Sequence, residues 1–218
     1  MNAKKFTVIG LVALVALLFY WAMTFYQQRV QAAQDVQVTA EPSRLVRMHS
    51  PVFGPQDAPV TIVEFFDPAC ETCRAFYPLV KNLMAQHPEK IKLVIRYAAF
   101  HQGSDVVVKL LEAAKSQGKY QVVLEALLAA QPAWADHGQP NLETAFTVAQ
   151  QAGLDLSQAR QAMENPAMQA LLQQDMDDLT ALQVTKTPTF FVNGRSLPSF
   201  GPEQLATLVA EEVAKVSP

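Results

Sequence analysis

The stretch "EFFDPACETCRAFYP", running from Glu64 to Pro78, contains both cysteines of the chain, Cys70 and Cys73, separated by Glu71 and Thr72. Just before the cysteines, "VTIVEFF" (Val60 to Phe66) is rich in β-branched and aromatic residues and bounded by turn formers, which predicts a buried strand. After them, Phe76, Leu79, Val80, Leu83 and Met84 recur at helical spacing, so a helix continues to "HPEK". The next apolar run, "IKLVIRYA" from Ile91, reads as a second strand. Strand, helix, strand is a βαβ unit with parallel strands. The cysteine pair falls at its strand-to-helix junction.

Beyond this unit the pattern turns helical. From about Ser104 to Leu182 every segment has helical spacing, with Ser104, Asn141, Asp155 and Asn165 where N-caps belong and Gly118 and Gly153 where helices stop. Then "TPTFFVNGRSLPSF" reads as a β-hairpin on the tight turn Asn193–Gly194, and "GPEQLATLVAEEVAKV" as a closing amphipathic helix. The order β-α-β, helical block, β-β-α gives an α/β class: a thioredoxin fold with an inserted helical subdomain at about 104–182.

The N-terminus carries a different signal. Lys4 and Lys5 precede Phe6 to Tyr26, twenty-one residues without a charge, enough to cross a bilayer as a helix. Phe19, Tyr20, Trp21, Phe25 and Tyr26 crowd its far end, where aromatic rings favour the interface. The flanking lysines keep the N-terminus cytoplasmic and place the rest of the chain on the exported side. A cleaved signal peptide ending at Ala32 is the competing reading, but the apolar run exceeds an ordinary signal core, which favours a retained anchor. The expected organisation is a cytoplasmic tip and transmembrane signal-anchor at 1–26, a polar stalk at 27–50, and a folded domain at 51–218.

Charge excludes one class of partner. Lys4, Lys5 and Arg29 are the basic residues before the first acidic one, Asp35, so the exported part is acidic, with no cluster of Lys and Arg. Nucleic acid is not an expected partner.

Two cysteines in such a chain have several possible roles. A structural zinc site needs four ligands. His49, His87, His101 and His137 stand in no finger-like spacing, so no metal site is expected. A structural disulfide across so short a loop constrains the unfolded chain little. A redox pair has a physical basis: Cys70 at a strand end and Cys73 one helical turn later meet the free N–H groups and positive dipole end of a helix. That placement lowers the thiol pKa and makes Cys70 the nucleophile, with Cys73 resolving the mixed disulfide. Thr187–Pro188, ahead of "TFFVNG", is either a cis proline beside the cysteines or a trans proline opening a strand. Glu64 is either a buried carboxyl relaying the proton of Cys73 or a solvent-facing strand residue. A copper(I)-binding or chaperone module is the alternative from another class, since two thiolates suit a soft cation, with "MHS" (Met48 to Ser50) or "FHQ" (Phe100 to Gln102) contributing.

Together, "SPVFGPQDAPVTIVEFFDPACETC" and "TKTPTFFVNG" resemble the DsbA family of thioredoxin-fold proteins, in its bacterial thioredoxin-4 branch, over roughly Ser50 to Val216. The resemblance implies a reversible Cys70–Cys73 disulfide, Cys70 attacking and Cys73 resolving, Pro188 as a cis proline after Thr187, and Glu64 as the buried acid. It implies thiol–disulfide exchange with protein substrates, reset by a membrane redox partner, on the periplasmic side of the inner membrane, without a cofactor. Glu71 and Thr72 depart from the Pro-His pair of strongly oxidising members. A carboxylate next to Cys70 should raise its pKa and weaken the oxidant, toward thioredoxin's potential of about −270 mV. Lys186 would offset this if its ammonium reached the site.

Overall fold

A computed structural model describes residues 3–136 and 139–216 of the chain; His137 lies outside them. Among the described residues, five strands form one sheet in the order β1-β3-β2-β4-β5. The central strand β2 (Val60–Phe66) pairs in parallel with β3 (Ile91–Tyr97) and antiparallel with β4 (Thr189–Val192). The edges are β1 (Val52–Phe53), antiparallel to β3, and β5 (Arg195–Ser196), antiparallel to β4. The β4–β5 turn is the expected Asn193–Gly194, both with positive φ (48° and 82°), a geometry that this pair adopts at low cost.

Alternation along β2 divides the core in two. Ile62 and Phe66 point to the larger cluster with α2 (Glu71–Gln86), the inserted helices and α9 (Pro202–Lys215). Val63 and Phe65 point to the other face, where Val38, Leu179, Leu182 and Phe191 cover them. Glu64 shares the register of Ile62 and Phe66 and so faces α2.

Between β3 and β4 lie α3 (Ser104–Ser116), α4 (Tyr120–Ala129), α5 (Gln131–Trp134), α6 (Leu142–Gln151), α7 (Leu156–Met163) and α8 (Pro166–Ala181). Asn141, Asp155 and Asn165 cap their helices through side-chain oxygens. Gly118 and Gly153 take positive φ just past helix ends. The cap of α3 differs from expectation. Gly103 (φ 78°) holds that position, because the Ser104 hydroxyl donates to Asp67.

The segment expected to be a polar stalk is different. Helix α1 spans Ala3–Ala40 without a break. No proline or glycine interrupts it after Gly10, and its last turns find partners on the domain. Asp35 accepts from the Ser196 amide (3.0 Å) and hydroxyl (2.7 Å), Gln31 and Gln34 donate to the Ser196 and Gln183 carbonyls, and Val38 is buried in the second core. The residues after α1 are tied down by charge. Arg44 and Arg47 pair with Asp178, His49 with Asp175, and the fully buried Arg96 of β3 bonds both carboxylates.

Among the described residues one helix, Val8–Val36, is long and apolar enough to cross a membrane.

Candidate active site

Cys70 is the N-cap residue of α2, in extended backbone geometry, and its sulfur accepts from the Cys73 amide at 3.5 Å. The strand places it there: β2 ends at Phe66, and Asp67 to Ala69 form the turn that leads the chain into the helix. Asp67 holds the turn. Fully buried, it accepts hydrogen bonds from the Ala69, Phe100 and His101 amides, the His101 ring and the Ser104 hydroxyl. From the other side Gln131, 1% exposed, donates to the carbonyls of Pro68 (2.8 Å) and Cys70 (3.0 Å).

Both cysteines are free thiols. Cys73 is fully buried and Cys70 is 6% exposed. The Thr187–Pro188 peptide bond is cis, and the Cys70 thiol reaches the Thr187 carbonyl at 3.4 Å. Distant segments thus meet at the sulfur: the β2–α2 junction, the chain before β4, and α5 of the insertion.

The environment pushes three ionisable groups apart. The Cys70 pKa is lowered to about 5, first by its hydrogen bond with Cys73 and then, against desolvation, by Thr187 and the Cys73 and Thr72 amides. Burial pushes the Cys73 thiol far upward, reinforced by the bond to Cys70 and the charge of Glu64. Glu64 is 1% exposed, and neither carboxylate oxygen has a hydrogen-bond partner among the described residues. Burial, with the negative charge of Cys70 behind it, raises its pKa to about 8. Of its two sequence readings, the buried one matches its position.

Glu71 has its side chain exposed in the first turn of α2. The Cys70 sulfur is held low by Cys73, Thr187 and main-chain amides. Thr72 contributes through its amide. The Lys186 ammonium sits over the Phe200 ring at 5.6 Å. Among the described residues no group of three or more His, Cys, Asp and Glu is arranged to hold a metal. His49 and His101, the histidines of the copper reading, are turned to Asp175 and Asp67.

Asp67 and Gln131 escape the sequence reading. Asp67, three residues ahead of Cys70, is identifiable as a turn aspartate where the strand gives way to the helix. Gln131 gives no local signal, since its partners lie some sixty residues away.

A reactive cysteine at a helix N-terminus, against a cis-proline segment on this sheet, defines a thioredoxin-fold redox protein. Similarity to known proteins agrees. The family model described as Thioredoxin matches residues 47–211. A thioredoxin-like oxidoreductase from Silicibacter pomeroyi superimposes with a TM-score of 0.68 at 29% identity, over 81% of this chain and 99% of that one. The thiol-disulfide exchange protein α-DsbA2 from Wolbachia pipientis shares the fold, with a TM-score of 0.69 at 18% identity over 86% of this chain and 97% of that one. Among curated proteins, the Na(+)/H(+) antiporter NhaA 3 of Salinispora tropica is 31% identical over 81% of this chain. The chain spans only about a quarter (25%) of the antiporter's length. The chain belongs to the thioredoxin family, in its DsbA-like form, a family of thiol–disulfide oxidoreductases.

Proposed function

We propose that the chain is a membrane-anchored, extracytoplasmic thiol–disulfide oxidoreductase that exchanges disulfides with protein substrates through Cys70 and Cys73. The observation that carries this reading is the Cys70 sulfur, which caps the N-terminus of α2, accepts from the Cys73 amide and meets the Thr187 carbonyl beside the cis Pro188 bond.

In the reducing direction the Cys70 thiolate attacks one sulfur of a substrate disulfide. A Cys70–substrate S–S bond forms, the substrate's own bond breaks, and one substrate cysteine leaves as a thiolate that takes up a proton. Cys73 then loses its proton to the Glu64 carboxylate and attacks the Cys70 sulfur. The second substrate thiol departs. Two electrons have passed to the substrate, and Cys70–Cys73 is a disulfide. In the oxidising direction a substrate thiolate attacks Cys70, and Cys73 leaves with a proton from Glu64, which is mostly protonated at neutral pH given its raised pKa of about 8. Thr187 and Pro188 border the sulfur and align an extended substrate. A stabilised thiolate favours the reduced pair, which places the couple above thioredoxin as an oxidant. Which direction turns over depends on the membrane partner that resets the pair.

Export follows from Lys4 and Lys5 ahead of the apolar run, with 1–26 as tip and span and 51–218 as the catalytic domain. The antiporter relatives support a bilayer setting, since ion antiport requires a membrane.

The test is trapping. Full-length Cys73→Ser should accumulate mixed disulfides with reduced, then re-oxidised, model proteins and with glutathione, and Cys70→Ser should accumulate none. Equal trapping by both variants would sink the assignment of Cys70.

A further inference from the structure

A cavity of about 350 Å³ is lined by Pro188, the residue after the Thr187 whose carbonyl meets the Cys70 sulfur. One wall comes from Lys186, Pro188 and Phe200. The other comes from the anchoring helix itself, through Met23, Tyr26 and Val30. These three recur at helical spacing, so one face of α1 is turned to the site. Side-chain bonds of Gln31, Gln34 and Asp35 fix that face against Ser196 and Gln183, and the burial of Val38 closes the docking. The helix that leaves the bilayer is therefore the same rigid rod that borders the cavity.

Its position along the rod sets the height of the site. Met23, the first cavity residue on α1, lies three residues inside the uncharged run, and Tyr26 ends that run as a wall residue. From Met23 to Gln34, the last cavity residue on α1, the helix rises about 16 Å at about 1.5 Å per residue. The headgroup layer on one side of a bilayer is itself about 5–7 Å thick. The cavity thus begins within about one helical turn of the end of the apolar run and ends about two turns beyond it. Cysteines on chain segments emerging from the bilayer pass at that height. Those of a folded soluble protein, with a radius of gyration of about 13 Å or more, are mostly held farther away. The lining suits an extended peptide: Met23, Tyr26, Val30 and Phe200 accept an apolar side chain, and the Gln27 amide of α1 can bond its backbone.

Resting on the exchange chemistry above, we propose that the anchoring helix builds half of the substrate groove, and that the substrates are cysteines in extended segments of integral membrane proteins close to the bilayer surface. The anchor then acts as a ruler and not only as a tether.

The test uses the full chain carrying Cys73→Ser in lipid nanodiscs with single-span probe peptides. Each probe bears a disulfide-activated cysteine on a polyproline spacer, which extends about 3 Å per residue and holds the sulfur at about 10, 30 or 50 Å from the membrane. Mixed-disulfide formation should be at least about tenfold faster at the shortest height than at the longest, a preference a fixed groove imposes. A helical insertion of about 14 residues ahead of Met23, four turns, lifts the intact groove by about 21 Å and should move the optimum to the middle probe. Val30→Trp, which fills the cavity from the α1 side, should slow the shortest probe. A profile flat with height, or an optimum the insertion does not move, overturns the proposal. Failure of soluble oxidised glutathione to react with Cys70 would instead overturn the exchange reading and this proposal with it.

Discussion

The reduction potential of the Cys70–Cys73 couple can be worked from the thiolate. The potential measures how far the protein prefers the dithiol over the disulfide, and a thiolate stabilised at Cys70 favours the dithiol. At pH 7 a sulfur with a pKa of about 5 is ionised with an advantage of about two decades. Thioredoxin's nucleophile, with a pKa near 7, gains only about a third of a decade. The difference, about 1.7 decades at about 30 mV each for a two-electron couple, is about 50 mV. Added to thioredoxin's value of about −270 mV, it places this couple near −220 mV, well below the strong oxidant's −120 mV or so. Proton bookkeeping gives a second readout. Above about pH 5 the reduced pair binds one proton instead of two, so the potential should fall by about 30 mV per pH unit, against about 59 mV below it. Equilibration with glutathione across pH, read by alkylation of Cys70, measures both. A potential at or above about −150 mV, or at or below about −270 mV, refutes the reasoning, as does a slope of about 59 mV per unit through pH 6–7. Glu71→Gln should move the value by no more than about 15 mV, since an exposed charge is screened.

Three further outcomes follow from buried groups. Glu64 has a folded pKa of about 8 against an ordinary 4.5, so the folded state holds its proton more tightly and stability is lost as pH rises between these values. Glu64→Gln should remove a penalty of about 3 kcal/mol at pH 7, seen as a gain in urea midpoint over the wild type that grows from pH 5 to 8; a gain that does not change with pH would refute it. Gln131→Ala leaves the buried Pro68 carbonyl unpaired and the Cys70 carbonyl with the Arg74 amide alone, and should cost about 2 kcal/mol, with faster alkylation of Cys70 as the active-site turn loosens. Unchanged denaturant midpoints would deny Gln131 its positioning role. Arg96→Met takes from Asp175 and Asp178, both 1% exposed, the buried partner they share, leaving Arg44 and Arg47 on Asp178 and His49 on Asp175, and should cost about 3 kcal/mol in urea melts at pH 7, less at low pH once Asp178 takes up a proton against the pull of its arginines. An equal loss at both pH values would assign the effect to packing alone.

The sheet and its cysteines were legible because their signals are local and strong. "VTIVEFF" and "IKLVIRY" are strand-like at a glance, and a C-x-x-C at a strand end can only meet the helix after it. Asn193–Gly194 determines its turn alone. The features that escaped the sequence depend on long-range pairing. A polar run such as "QQRVQAAQDVQV" shows no core-facing stripe, because its glutamines and Asp35 are matched to backbone groups of β5 and of the chain before β4, not to apolar partners. Arg96 looks like an ordinary strand-edge charge until Asp175 and Asp178 arrive from α8. Glu71, one residue from Cys70, has an exposed side chain, while Thr187, more than a hundred residues away, meets the sulfur.

These placements leave the reduced site with one dominant negative charge at neutral pH. The Cys70 thiolate is favoured by hydrogen bonds, and its charge is one of the two causes that keep Glu64 protonated. Burial, with the bond to Cys70 behind it, raises the Cys73 pKa, which keeps the resolving thiol neutral while Cys70 waits for substrate. The three groups are thus coupled, and oxidation resets all of them together. When the Cys70 sulfur enters a disulfide its charge disappears, and one of the two forces holding the proton on Glu64 disappears with it. Glu64 is then left closer to releasing that proton. The next event at an oxidised pair is departure of Cys73 as a thiolate, which needs that proton. A buried carboxyl with no hydrogen-bond partner among the described residues is costly to keep, and a solvent-facing residue in β2 would not be. Its position under α2, in register with Ile62 and Phe66, puts it on the buried face that Cys73 also occupies, where the proposed exchange needs a proton store for a sulfur that solvent does not reach.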